Sequence, residues 1–91
     1  MHLDKATGIG ADALIFLAGR PELLEACLAQ SGLAASDLLA RAQEPELLGF
    51  VLDFLLQSDT WVRDFATAAG LPPEAVARAR ATLEGDIPNW T

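Results

Sequence analysis

The sequence predicts an all-α protein, and three observations carry that expectation. Apolar residues recur at spacings of three and four, and no segment alternates apolar with polar as a half-buried strand would. The five prolines and seven glycines fall at intervals rather than in runs, so they read as starts and stops of helices. The order of the pieces also repeats. "LIFLAGRPELLEACLAQSGL" and "LDFLLQSDTWVRDFATAAGL" superpose at an offset of 38, matching Leu14 with Leu52, Phe16 with Phe54 and Leu17 with Leu55. Gly32-Leu33 falls on Gly70-Leu71, and after one deletion "DLLARA" falls on "EAVARA". The expected architecture is therefore a compact bundle of five or six short helices, arranged as two related three-helix units that share one core.

A first helix is expected over about residues 4–18, with Ala13, Phe16 and Leu17 inward and Gly8 and Gly10 weakening its early turns. Pro21 suits the first turn of a second helix, where its missing N–H would be unpaired anyway. That helix runs through "ELLEACLAQ" and stops at Gly32, a residue free to adopt the left-handed backbone of a helix end. Ser36 or Asp37 should cap a short third helix, "DLLARAQ". Pro45 opens the fourth, "PELLGFVLDFLLQ", which is apolar nearly all round, with Glu46, Asp53 and Gln57 on one narrow face. Such a helix belongs at the centre of a core, with Leu48, Val51, Leu52 and Leu55 turned inward. Ser58 or Asp59 caps a fifth helix ending at Gly70, and Pro73 opens a sixth ending near Gly85. The whole of residues 1–91 is expected to form one domain, with residues 1–10 partly frayed and residues 86–91 an extended tail around Pro88.

Composition narrows the function classes. The chain is 52% apolar, which favours a folded domain over a disordered segment. Six Lys and Arg against thirteen Asp and Glu leave a net charge of −7, the wrong sign for phosphate backbones and for anionic membrane surfaces. One cysteine, Cys27, permits no intrachain disulfide and no cysteine-based structural zinc site, as suits a reducing cytoplasm. The N-terminus lacks the basic start and small-residue cleavage site of a secretory signal, and "ALIFLA" is far too short to cross a bilayer. A cytoplasmic protein without membrane association is expected.

"ALIFLAGRPELLEACLAQSGL", "PELLGFVLDFLLQSD" and "FATAAGLPPEAVARARATL" resemble, in order and spacing, a family of small alphaproteobacterial proteins of unknown function, numbered 3572 among such domains. The resemblance spans about residues 11–84 and rests on F-L-A-x-x-P-E-x-L, the S-G-L turn and V-L-D-x-L-L. Where the family has an acidic residue before the first Pro-Glu, this chain has Arg20, so that helix loses its usual cap. The resemblance implies an all-helical bacterial cytoplasmic protein. It implies no activity, cofactor or catalytic residue.

The strongest functional motif is the segment 65–80, "FATAAGLPPEAVARAR", which has the spacing of a DNA-reading helix-turn-helix in Ala66, Gly70, Leu71 and Val76. A reading helix needs polar or basic groups at its exposed start. Here that start is Pro72, Pro73 and Glu74, and only Arg78 and Arg80 could reach a phosphate. The first repeat places bulky Leu28 where Ala66 sits. A helix-packing turn is the better reading, and no nucleic-acid partner is expected. The single histidine, His2, and Cys27 have no companions for metal or nucleophilic chemistry. Cys27 aligns with Phe65 and reads as a small core hydrophobe. Asp53 reads as a surface carboxylate, and the scattered arginines as ion-pair partners. Phe50, on the same helix edge as Asp53, and Ile87 and Trp90 in the tail are the candidate partner-binding residues. No catalytic, cofactor-binding or metal-binding residue is expected. The expected function is a non-enzymatic protein–protein interaction module, binding another protein or itself. The alternative is a small DNA-associated regulator using Arg78 and Arg80.

Overall fold

The computed structural model describes residues 1–86. Six helices follow one another: α1 (Leu3–Ala18), α2 (Pro21–Ser31), α3 (Ala35–Ala40), α4 (Pro45–Leu55), α5 (Asp59–Ala69) and α6 (Glu74–Asp86). There is no strand among the described residues. Their boundaries follow from local sterics. Pro21 and Pro45 both sit in the first turn of their helices. Gly32 and Gly70 close α2 and α5 with φ of 73° and 69°, a left-handed backbone that side-chain-bearing residues rarely adopt. The Ser58 hydroxyl accepts the Trp61 N–H at 3.4 Å at the start of α5.

Three boundaries differ from expectation. α1 begins at Leu3, so residues 3–10 are helical rather than frayed. Two glycines cost this segment about 1 kcal/mol each in helix propensity, but Ala6, Ile9 and Gly10 are buried, and His2 Nδ1 accepts the Asp4 N–H at 3.1 Å. Packing and a cap outweigh propensity. Neither Ser36 nor Asp37 is the N-cap of α3. Ala34 takes that position, and Asp37 reaches back to accept the Ala34 N–H at 3.3 Å. α6 runs through Gly85 to Asp86, and the rest of the expected tail lies outside the described residues.

All six helices contribute to one buried cluster, and α4 lies at its centre. Leu48, Val51, Leu52 and Leu55 are completely buried, as expected, together with Phe54 and Leu47 on the flanks. Trp61 of α5 stacks on Phe54, centroid to centroid 4.9 Å. α1 crosses α4 closely at Gly10, where a Cβ would stand 2.8 Å from Leu48 Cβ. α6 packs chiefly against α1 and α4, inserting Ala75, Val76, Ala79 and Leu83. The repeat is thus visible in the order of helices and in the two left-handed glycines, but the packing is not symmetrical. α3, the repeat partner of α6, is a single peripheral turn and a half that buries only Leu38.

Candidate functional site

Two grooves open on the surface, and the sequence repeat relates them. The first, about 350 Å³, lies between α1 and α5 and is lined by Asp12, Ile15, Phe16, Phe65, Ala68 and Ala69. The second, about 260 Å³, lies among α2, α3 and α4 and is lined by Gln30, Ser31, Leu33, Arg41, Glu46, Leu47 and Phe50. Asp12 and Phe50, Ala68 and Gln30, and Ala69 and Ser31 are each 38 residues apart, the offset of the repeat. Three lining positions are thus shared through the repeat, and the remaining ones differ.

The side chains lining the first groove are apolar except for Asp12. On α1, residues 12, 15 and 16 share one face; on α5, residues 65, 68 and 69 do the same, since both sets are spaced three and four apart. Phe16 and Phe65 form the floor, rings tilted at 58° with centroids 5.6 Å apart. Ile15 stands at the mouth, 70% exposed, the most exposed large apolar side chain of the described residues. A lone exposed aliphatic residue is ordinary; one beside a concave aromatic floor makes a continuous apolar surface.

Arg20 holds one end of this groove. Its guanidinium lies 5.5 Å from the Phe16 ring centroid, its Nε donates to Glu22 Oε1 at 2.8 Å, and its Nη1 is 3.6 Å from Asp64 on α5. The hydrogen bond with Glu22 pushes the arginine up from its ordinary value and holds the Glu22 carboxyl below its own. Arg20 thus ties the α1–α2 junction to α5, although it gives α2 no side-chain cap.

The second groove is mixed. Phe50 is half-buried there, beside Leu33 and Leu47. Gln30 and Gln57 exchange two amide hydrogen bonds at 2.8 and 3.1 Å. Ser31 Oγ accepts the Leu33 N–H at 3.1 Å, and Arg41 pairs with Glu44 at 3.0 Å. Gln30, Ser31 and Arg41 thus have partners within the fold, while Glu46, also lining this groove, is exposed and makes no ion pair among the described residues.

Of the residues singled out from sequence, Phe50 lies in a groove. Ile87 and Trp90 are outside the described residues. Arg78 and Arg80, two residues apart on α6, point to different sides of that helix. Arg78 is exposed. Arg80 lies along Gly49 and pairs with Asp53 at 3.0 Å and with Glu84 at 3.1 Å. Those carboxylates raise its already high pKa, the hydrogen bond to Asp53 most. Cys27 is fully buried, and burial pushes its thiol up, away from the reactive thiolate. Among the described residues no three His, Cys, Asp or Glu side chains come together as metal ligands, and no helix is long and apolar enough to cross a membrane.

Ile15 and Asp12 escaped the sequence reading. A signal for Ile15 was present: at offset 38 it falls on Asp53, so an aliphatic residue occupies a position that is polar in the other repeat.

Fold and grooves together define a small helical protein with two related clefts. The chain belongs to the family described as Protein of unknown function (DUF3572), which it matches over residues 3–86. No curated protein and no solved structure matches it.

Proposed function

We propose that this protein is a non-enzymatic protein–protein interaction module of the bacterial cytoplasm, and that the α1/α5 groove is its binding face. One observation carries the reading: Ile15, largely exposed, adjoins a concave floor of Phe16 and Phe65. Interfaces draw their energy from such apolar anchors seated in pockets. The groove is at the small end of ligand pockets, which run from about 300 to 1,000 Å³, so it suits a few side chains of a partner better than a cofactor. Its single polar side chain, Asp12, has neither a base nor a nucleophile among its fellow lining residues, which supports the non-enzymatic half of the proposal. The engagement of Arg80 by two carboxylates speaks against the DNA-associated alternative.

Photo-crosslinking in living cells tests this. With p-benzoylphenylalanine at Ile15, irradiation should yield a discrete protein adduct. The same group at Leu39, equally exposed on α3 but outside both grooves, should not. Equal adducts from both positions, or none from Ile15, would reject the groove as the binding face.

A further inference from the structure

We infer that the α1/α5 groove takes a lysine or arginine side chain of a partner protein, its stem along the Phe16 and Phe65 floor and its charged head on the Asp12 carboxylate. The inference rests on reading that groove as the binding face.

The order of residues along the groove carries the argument. Asp12 and Phe16 are four apart on one face of α1, and Arg20 follows just past its end. Arg20 lies beside Asp64, Phe16 pairs with Phe65, and Asp12 lines the groove together with Ala68 and Ala69. α1 and α5 therefore run antiparallel here, with Arg20 at one end of the trough and Asp12 at the other.

At the Arg20 end the fold supplies both charges itself. The guanidinium lies 5.5 Å from the Phe16 ring centroid, 2.8 Å from Glu22 and 3.6 Å from Asp64. A cation over this aromatic floor, held by carboxylates, thus occurs once within the molecule. At the other end the carboxylate stands alone. Asp12 is exposed and makes no ion pair among the described residues. Ala68 and Ala69, the α5 residues that line the groove with it, end at Cβ and offer it nothing. Lys5 stands two turns earlier and Arg63 lies on the side of α5 opposite Phe65; neither pairs with it.

Length and charge then select the occupant. Asp12 and Phe16 are about 6 Å apart along the axis, four residues at roughly 1.5 Å each. A lysine or arginine stem covers that span, lying on apolar surface while its head stays polar. A purely apolar side chain would cover Asp12 and leave its charge without a partner. An acidic one would meet like charge. The second groove differs, because its lining includes an arginine of its own, Arg41, as well as Glu46. The net charge of −7 attracts a basic partner and opposes a second copy of this chain.

A random dodecapeptide library displayed on phage provides the test. It is selected on the wild-type protein, and the peptides kept are those weakened by Ile15→Ser, a change at an exposed residue that leaves the fold intact. Each should contain a Lys or Arg whose replacement by norleucine, which keeps an apolar stem, weakens binding at least about threefold in calorimetry. That loss should vanish when the same peptides are measured on Asp12→Asn, as a double-mutant cycle requires of a direct pair. It should persist on Glu46→Gln, which removes an exposed, unpaired carboxylate from the second groove. A loss that persists on Asp12→Asn, or vanishes equally on Glu46→Gln, would mean diffuse attraction to an acidic surface and overturn the inference. Ile15-dependent peptides without a critical basic residue would overturn it and leave the groove reading standing. If no selected peptide depends on Ile15, both fall. A dimer dissociated by Ile15→Ser would make a second copy the occupant and reject the inference.

Discussion

α3 and α6 hold the same place in the repeat, "DLLARA" against "EAVARA", yet one is a peripheral six-residue helix and the other a thirteen-residue helix packed against the two central ones. Two local differences separate them. α3 is followed by Pro45, which starts α4, and the residue before a proline is kept out of helical backbone. The chain must therefore leave α3 early, through the turn at residues 41–43. α6 meets no such stop and continues through "RATLEGD". The second difference is the inward stripe. α6 presents Ala75, Val76 and Ala79 before Leu83, small side chains that let its axis approach α1 and α4 closely. α3 offers Leu38 and leaves Leu39 69% exposed. Similar sequences thus acquire unlike roles.

A proline placed in each helix should expose the contrast most strongly. Ala79→Pro removes a hydrogen bond and clashes in the middle of α6, costing about 3 kcal/mol or more besides the packing that α6 contributes. In a protein of 91 residues this should abolish folding at room temperature, read by circular dichroism. Leu39→Pro can cost no more than undocking α3, because a local unfolding limits the loss; a small shift in urea midpoint is expected. Unfolding of both variants would mean that α3 is as central as α6.

Leu52→Ala, at the centre of α4, should cost about 2–5 kcal/mol, since its side chain is completely buried. Leu38→Ala should fall at or below the lower end of that range, because the peripheral α3 can settle into the space. Equal losses in denaturant titrations would contradict the asymmetry.

Two glycines of α1 sharpen the same comparison at a smaller scale. A Cβ at Gly10 would press on Leu48, so Gly10→Ala should destabilise by about 1–3 kcal/mol, the usual size of overpacking. A Cβ at Gly8 meets nothing within 4 Å, so Gly8→Ala should stabilise by up to about 1 kcal/mol through helix propensity alone. Thermal midpoints moving in the same direction would show that α1 is not seated on α4 as described.

The smallest effect is electrostatic. The folded-state pKa of Glu22 lies below its ordinary value because of Arg20. Its contribution to stability is therefore full above the ordinary carboxyl range and disappears as pH falls through the depressed folded value. Wild type should exceed Glu22→Gln slightly at neutral pH, and the two should converge in acid. A difference that grows on acidification would show the sign to be wrong.

Much of this was legible in the sequence. The starts at Pro21 and Pro45, the stops at Gly32 and Gly70, and the inward face of α4 all follow from constraints acting within a few residues: a fixed proline φ, a left-handed glycine, a side-chain spacing. Phe50 could be found because it broke the polar edge of an otherwise apolar helix. Other features were decided only in three dimensions. The fraying expected before residue 10 gave way to a helix from Leu3, because burial of Ala6, Ile9 and Gly10 against the rest of the fold outweighs weak local propensity. Phe16 and Phe65 meet, although they lie on different helices far apart in the chain, and Arg80 pairs with Asp53 while Arg78, two residues before it, stays exposed. The repeat itself was readable, but not which of its two third helices would enter the core. Helix boundaries are settled by local backbone sterics and capping. The partner of each helix face is settled by non-local fit, and there the small-residue stripe of α6 packs against both α1 and α4 while α3 stays at the periphery.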